Sequence, residues 1–282
     1  MLFRSQKFRD FRSGGVNRLS IGIQSFQPRH LVALGRIHDD AEARRAVEAA
    51  CHAFDLVNLD LMYCLPGQTL AEALLDVKEA VSWHTPHLSF YHLTIEPDTV
   101  FHRRPPKIPD PDEAAEIEDA VHAALVDGGF EQYETSAFAR EGRRCRHNLN
   151  YWEFGDYLGL GAGAHSKLSF PDRILRQART RQPREYLRSV AAGKPVLQET
   201  RLQRADAVSE FMMNALRLTA GFPVAMFQER TGLPITVAAA QLDAAEKRGL
   251  IVRDHQYVRP TELGRRFLND LVGMFQIGRA HV

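Results

Sequence analysis

Cysteine occurs three times in 282 residues and tryptophan twice. Cys51, Cys64 and Cys145 are an odd number without metal-ligand spacing. That argues against a disulfide framework and against a complete cluster site within this chain. An excess of charge of one sign is also missing. Against 36 Lys and Arg stand 35 Asp and Glu, and a net charge of +1 gives no electrostatic reason to expect nucleic acid or an anionic membrane surface. No apolar run approaches the roughly 20 residues that span a bilayer. The N-terminal residues lack the basic, apolar and small-residue order of a secretory leader, so the expected location is the cytoplasm. What remains is an ordinary globular composition with 44% hydrophobic residues, enough for one large domain or two smaller ones.

The two tips are expected to share an origin. Ile277-Gly278-Arg279-Ala280-His281-Val282 and Met1-Leu2-Phe3-Arg4-Ser5 can be encoded by complementary strands of one short oligonucleotide that resembles a sequencing-library adapter. The expectation is that 1–5 and 277–282 are adapter translation and that the chain is an N-terminally truncated fragment.

The interior is organised around Asn58-Leu59-Asp60-Leu61-Met62-Tyr63-Cys64-Leu65-Pro66-Gly67-Gln68-Thr69. Apolar residues crowd from Phe54 to Met62, only Asn58 and Asp60 interrupt them, and Pro66-Gly67 stops the strand before a helix that opens near Thr69. An earlier strand alternates over Arg18 to Gln24, a helix capped by Asp39 or Asp40 runs to Phe54, and a third strand covers Leu88 to Ile95. Repeated strand and helix units predict an α/β fold with parallel strands and right-handed crossovers, an open sheet or a barrel segment. A Pro-rich linker at 103–111 leads to a helix over about Asp112 to Asp127 and a strand over Tyr133 to Ala139.

From about Ala205 three helices and a short hairpin predict a mostly helical, winged-helix-like unit. Such units often bind DNA. Here the third helix, Ile235 to Arg248, has no basic residue before its final turn and carries Asp243 and Glu246. It is a poor recognition helix, and eleven Lys and Arg against eight Asp and Glu in 201–282 is too weak a bias to rescue the idea. No nucleic-acid partner is expected, and the unit reads as a packing or docking module. Nucleic-acid binding stays as the reading from another functional class.

Gln24, Asp60 and Thr94 fall near the ends of three successive strands, where parallel α/β folds gather ligand-binding groups. From the strand alone Asp60 has two readings, a functional acid or a cap for the following loop. Arg36, just beyond the first strand, has a planar fork suited to clamping a carboxylate. Gly159 to His165 has neither a clean strand before it nor a partner acid in dinucleotide-binding register, so close backbone packing explains its glycines better. His84, His87 and His92 read as ordinary residues.

Four strings, GVNRLSIGIQSF (15–26), NLDLMYCLPGQT (58–69), LSFYHLTIEPDT (88–99) and CRHNLNYWEFGDYLGLGAGAHSK (145–167), resemble radical-SAM enzymes related to oxygen-independent coproporphyrinogen III dehydrogenase. The HNLNYW string is similar to the haem chaperone branch of that group. The resemblance covers roughly residues 6–276 and implies part of a (β/α) radical-SAM barrel over 6–109, its extension and a junction over 110–200, and the helical domain over 201–276. It implies S-adenosylmethionine contacts at Gln24, Arg36 and Asp60, with Thr94 on the adenosine side and His165 lining the pocket. It implies haem iron on His147 with Tyr151 and Trp152 against the porphyrin, and a haem-acceptor protein, including peripheral contact with membrane haem proteins. A packed aromatic corner at the domain junction is the competing account of His147, and Cys145 reads first as a buried structural thiol. The chain departs from the group in lacking the Gly-Gly-Thr-Pro type loop and the acidic ribose contact that precede the Gln24 position there, and above all in its cysteines. The Cys-x3-Cys-x2-Cys loop that holds a [4Fe–4S] cluster is absent, so the chain as written is expected neither to assemble the cluster nor to cleave S-adenosylmethionine. The second function the resemblance implies is that of the dehydrogenase itself, oxidative decarboxylation of porphyrinogen propionates.

Overall fold

The computed structural model describes residues 5–276. The expected adapter residues 1–4 and 277–282 lie outside them, while Ser5 opens the first helix. Where the sequence suggests boundaries at 109/110 and 200/201, contacts divide the chain into two units at Cys145/Arg146.

In the first unit, α1 (Ser5–Ser13) precedes β1 (Arg18–Gln24), α2 (Pro28–Ala33), α3 (Asp40–Ala53), β2 (Leu56–Tyr63), α4 (Leu70–Ser82) and β3 (His87–His92). After α5 (Val100–Arg103) and α6 (Pro111–Asp127) come β4 (Glu131–Glu134) and β5 (Ala137–Ala139). The five strands form one sheet in the order β1-β2-β3-β5-β4. Its first two pairings are parallel and its last two antiparallel. The crossover helices start where the sequence provides reciprocal caps. Asp39 with Glu42 opens α3 and Thr69 with Glu72 opens α4. The single strand expected over Tyr133 to Ala139 is instead a tight hairpin: the polar Thr135-Ser136 pair turns the chain so that Glu134 faces Ala137. α2, six residues long, is too short to leave a helical period in the sequence.

The sheet has two unlike faces because strand side chains alternate. Ile21, Ile23, Val57, Leu59, Leu61, Leu88 and Phe90 join a core with Ala43 and Val47 of α3, Ala73 and Val77 of α4, and Ile117 and Val121 of α6. The opposite face carries two polar rows set by register, Ser20-Asn58-His87 and Gly22-Asp60-Ser89.

The second unit begins with α7 (Arg146–Trp152) and continues through β6 (His165–Phe170), β7 (Arg173–Arg179), α8 (Pro183–Ala191) and β8 (Val196–Arg201). These three strands form an antiparallel sheet that replaces the loosely defined junction expected from the sequence. β7 and β8 carry Arg176, Gln177, Arg179, Gln198 and Glu199, so polar residues obscure the alternation that would reveal them. Then follow α9 (Arg204–Ala215), β9 (Phe222–Pro223), α10 (Val224–Thr231), a 3-10 turn at Ile235–Ala238, α11 (Ala239–Lys247), β10 (Ile251–Arg253), β11 (Tyr257–Pro260), α12 (Glu262–Arg266) and α13 (Leu268–Gly273). The expected helical unit is present, with its third helix opening as a 3-10 turn, and two short helices that meet at Phe267 follow the hairpin. Its core gathers Phe211, Phe222, Phe227, Leu242, Ile251 and Val258. Among the described residues no helix is long and apolar enough to cross a membrane.

Candidate functional site

The polar face of the first sheet is held by its own hydrogen bonds. Ser20 Oγ donates to Asp60 Oδ2 at 2.8 Å, and Asn58 Nδ2 donates to Asp60 Oδ1 at 2.8 Å and to Ser20 Oγ at 2.7 Å. Asn58 Oδ1 lies 2.6 Å from His87 Nδ1 and accepts from Ser89 Oγ at 3.1 Å. His87 Nε2 is 2.8 Å from the Tyr133 hydroxyl, which also accepts the Cys145 backbone N–H at 3.3 Å. His87 is therefore no ordinary strand residue. Burial, with Arg18 nearby, pushes its imidazole down to about 3, and the ring is neutral at physiological pH.

Gln24 and Asp60 are brought to this face, though not at equal depth. Asp60 sits within β2 opposite Gly22, while Gln24 pairs with Leu61 across a register shift. The expectation of equivalent strand-end positions is corrected by that shift. Gln24 adopts φ +72°, and its amide folds back over Gly22. The turn beyond it is anchored by Asp76, which accepts from Ser25 Oγ at 2.6 Å and from the Phe26 N–H at 2.8 Å. Burial raises the Asp76 carboxyl to about 6 despite those bonds. Arg36 is exposed in the loop after α2. In the same loop the His38 ring lies 3.2 Å from the Ile23 carbonyl oxygen, which ties the segment to the end of β1. Thr94 lies beyond the end of β3 and is exposed, so it does not join the polar rows.

In the second unit His147 is exposed on α7, and its ring meets Tyr151 edge-on at 4.9 Å. Tyr151 packs on Tyr157 at 4.6 Å, and Arg176 donates to the Tyr157 hydroxyl at 2.7 Å. Trp152 lies under the Arg217 guanidinium at 4.4 Å, with its indole nitrogen buried and without a hydrogen-bond partner among the described residues. His165 is exposed at the start of β6. Gly159 is explained by packing, since a Cβ there would stand 2.1 Å from the His165 carbonyl oxygen.

Asp60 retains acceptor capacity beyond its two bonds, and Gln24 adds an amide folded over Gly22, the residue paired with Asp60. Together they fit the ammonium and hydroxyl donors of S-adenosylmethionine. The residues do not fit a [4Fe–4S] cluster: among the described residues no three His, Cys, Asp or Glu side chains converge to hold a metal. Burial raises the Cys51 thiol and pushes Cys64 up to about 12, the reverse of what thiolate ligands need. Cys145 is a buried free thiol.

Residues 202–267 match the family model of the HemN C-terminal domain. Over 273 residues the chain is 45% identical to the heme chaperone HemW of Escherichia coli strain K12, covering 96% of this chain and 71% of that protein. The chain belongs to the HemW family. The HemW of Haemophilus influenzae is 44% identical over 96% of this chain and 70% of its own length. A solved structure of the E. coli coproporphyrinogen III oxidase HemN, a radical SAM enzyme, matches with a TM-score of 0.78 at 20% identity, over 97% of this chain and 67% of that one. That likeness shows the fold, part of a radical-SAM barrel followed by a helical domain. Of the two branches the sequence resembles, HemW membership selects the chaperone. Within this HemW chain, His87 and Asp76 are the structural residues that motif reading does not single out. The one trace of His87 is its place in β3, directly opposite Asn58.

Proposed function

We propose that the protein binds haem and transfers it to an acceptor protein, with His147 as iron ligand and Tyr151 and Trp152 beside the porphyrin. The observation that carries this is 45% identity to a protein named heme chaperone. The site supports it through an exposed imidazole set against an aromatic ring, a donor suited to haem iron. Gln24, Arg36 and Asp60 are proposed to recognise S-adenosylmethionine, whose ammonium, carboxylate and ribose hydroxyls match their charges and hydrogen-bonding capacity. Thr94 and His165 are proposed at the edges of that ligand. No step is assigned to a [4Fe–4S] cluster, since the described residues provide no ligand set for one. The proposed setting is the cytoplasm, with acceptors that include membrane haem proteins touched from the aqueous side.

The wing does not favour nucleic acid. Asp243 and Glu246 of α11 both pair with Arg253 of β10, so this helix presents acids and the nearby cation is already engaged.

The test is a haemin titration of the chain followed by the Soret band. His147→Ala is expected to weaken binding at least about tenfold and to change the band's position, with far-UV circular dichroism unchanged. Equal affinity and an identical spectrum in the variant would overturn ligation by His147.

A further inference from the structure

We infer that Asn58, His87 and Tyr133 are positioning residues for Asp60, joined in a one-directional hydrogen-bond chain that fixes how the carboxylate is presented to a ligand. The inference rests on the reading of Asp60 as a ligand-binding acid and adds His87 and Tyr133, which no quoted motif contains.

The direction of each bond follows from the one before it. Both oxygens of Asp60 accept, one from Ser20 Oγ and one from Asn58 Nδ2. The second amide hydrogen of Asn58 goes to Ser20 Oγ, so both donors of Asn58 are used. Its Oδ1 is left to accept, and it faces Ser89 Oγ and His87 Nδ1. His87 must then carry its proton on Nδ1 and offer Nε2 as acceptor to the Tyr133 hydroxyl. The Tyr133 oxygen in turn accepts the Cys145 N–H. Every donor in the series points toward the carboxylate, and bonds arranged this way strengthen one another. A flipped Asn58 amide would set its oxygen against Asp60 and its NH2 against the His87 N–H, so the charge on Asp60 and the tautomer of His87 enforce each other.

The chain is also sealed. Asn58 is 4% exposed, His87 1% and Tyr133 2%, leaving little room for water to replace a lost partner. Neutral His87 suits the arrangement, because a protonated ring would present N–H groups to both neighbours and break the acceptance from Tyr133. Asp60 itself is only partly buried, which keeps it accessible to a ligand.

Two measurements on the whole chain test this, one blind to ligand. In 15N NMR of the imidazoles, His87 is expected as the neutral Nδ1–H tautomer from about pH 5 to 8. The carboxyl carbon of Asp60 is expected to shift in Tyr133→Phe and further in His87→Phe. A purely structural role would lower the melting temperature of these variants and leave the Asp60 signal in place. An Nε2–H tautomer, or an unmoved Asp60 signal in folded Tyr133→Phe, would overturn the positioning role. Calorimetric titration with S-adenosylmethionine then compares Asp60→Asn, which is expected to abolish binding, with Asn58→Ala, expected to weaken it about tenfold, the scale of one hydrogen bond to a charged group. Loss in Asp60→Asn without any change in folded Asn58→Ala overturns the positioning role and keeps the ligand reading. Absence of binding in the unmodified chain overturns the ligand reading, and the NMR signals still decide the positioning.

Discussion

The amide nitrogen of Gln24 lies where a side chain on Gly22 would need to be, 2.7 Å from the place of its Cβ. Gly22, whose own cross-strand partner is Asp60, therefore makes room for the Gln24 amide to fold back over it. Gln24 holds φ +72°, a region that non-glycine residues seldom occupy, so its posture is imposed by its surroundings. Gly22→Ala is expected to push the flexible amide aside and weaken S-adenosylmethionine binding about fivefold, while costing less than about 1 kcal/mol of stability. Calorimetric titration and a urea melt of the same preparation check both halves. Unchanged affinity would show that Gln24 does not depend on the space at Gly22.

Asp76 makes stability depend on pH in an unusual direction. Its carboxyl stands at about 6 in the folded chain against an ordinary value of 3.8, because burial opposes ionisation more than Ser25 and Phe26 favour it. The folded state thus holds the proton more tightly than the unfolded one. The contribution is fully present below about pH 4 and is lost as pH rises through about 6, by roughly 3 kcal/mol for a shift of about two units. Asp76→Asn keeps a similar shape without the ionisation. The stability of the unmodified chain relative to this variant, from urea midpoints at stepped pH, is expected to fall between about pH 4 and 7. A pH-independent difference would show that Asp76 does not titrate there.

Gln24 and Asp60 could be picked out beforehand because strand ends and interrupting acids leave marks in sequence, and the parallel order of β1, β2 and β3 follows from hydrophobic runs separated by capped helices. The depth of Asp60 could not. It depends on a register shift between Gly22 and Gln24, which is a property of two paired strands rather than of either segment. His87 was hidden for a similar reason. Its partners Asn58 and Tyr133 are 29 and 46 residues away, so its burial and tautomer are decided by pairing alone. The β6-β7-β8 sheet was obscured by arginine and glutamine on strands whose apolar alternation is weak. The helices from about Ala205 onward bury regularly spaced apolar residues and were legible, whereas α7 and α8, which bury none, were not.

Phe211 centres the second unit's aromatic cluster. Its ring meets Phe154 at 5.9 Å and Phe222 and Phe227 at 5.0 Å, each close to edge-on, and the side chain is fully buried. Three rings from separate elements cannot collapse together into the space it fills. Phe211→Ala is expected to cost about 3–5 kcal/mol, and Phe211→Leu less than half of that. Urea unfolding monitored by tryptophan fluorescence in a Trp83→Phe background, which leaves Trp152 as the reporter, measures the losses. Equal losses would mean that volume, not ring geometry, is unimportant at this position.

Lys167 and Asp156 form an ion pair with unequal burial, which predicts unequal consequences for removing either partner. The Lys167 side chain is 1% exposed, and its ammonium donates to Asp156 Oδ1 at 2.8 Å and Ser169 Oγ at 2.9 Å above the Phe154 ring. The Asp156 side chain is 43% exposed and also accepts from the Ser169 N–H at 2.8 Å. Burial lowers the Lys167 pKa despite its partner. Burial alone would raise that of Asp156, but its bonds to Lys167 and Ser169 outweigh the effect and hold it low. Lys167→Met leaves a carboxylate that water and Ser169 still solvate, at a cost of about 1 kcal/mol. Asp156→Asn strands an ammonium in a closed site, at about 3 kcal/mol. The stranded Lys167 binds its proton less tightly when folded than when unfolded, so the deficit of Asp156→Asn is expected to shrink as pH rises from about 7 to 9. Urea melts at both pH values decide the matter, and a deficit that grows with pH would show that the ammonium is solvated in the folded chain.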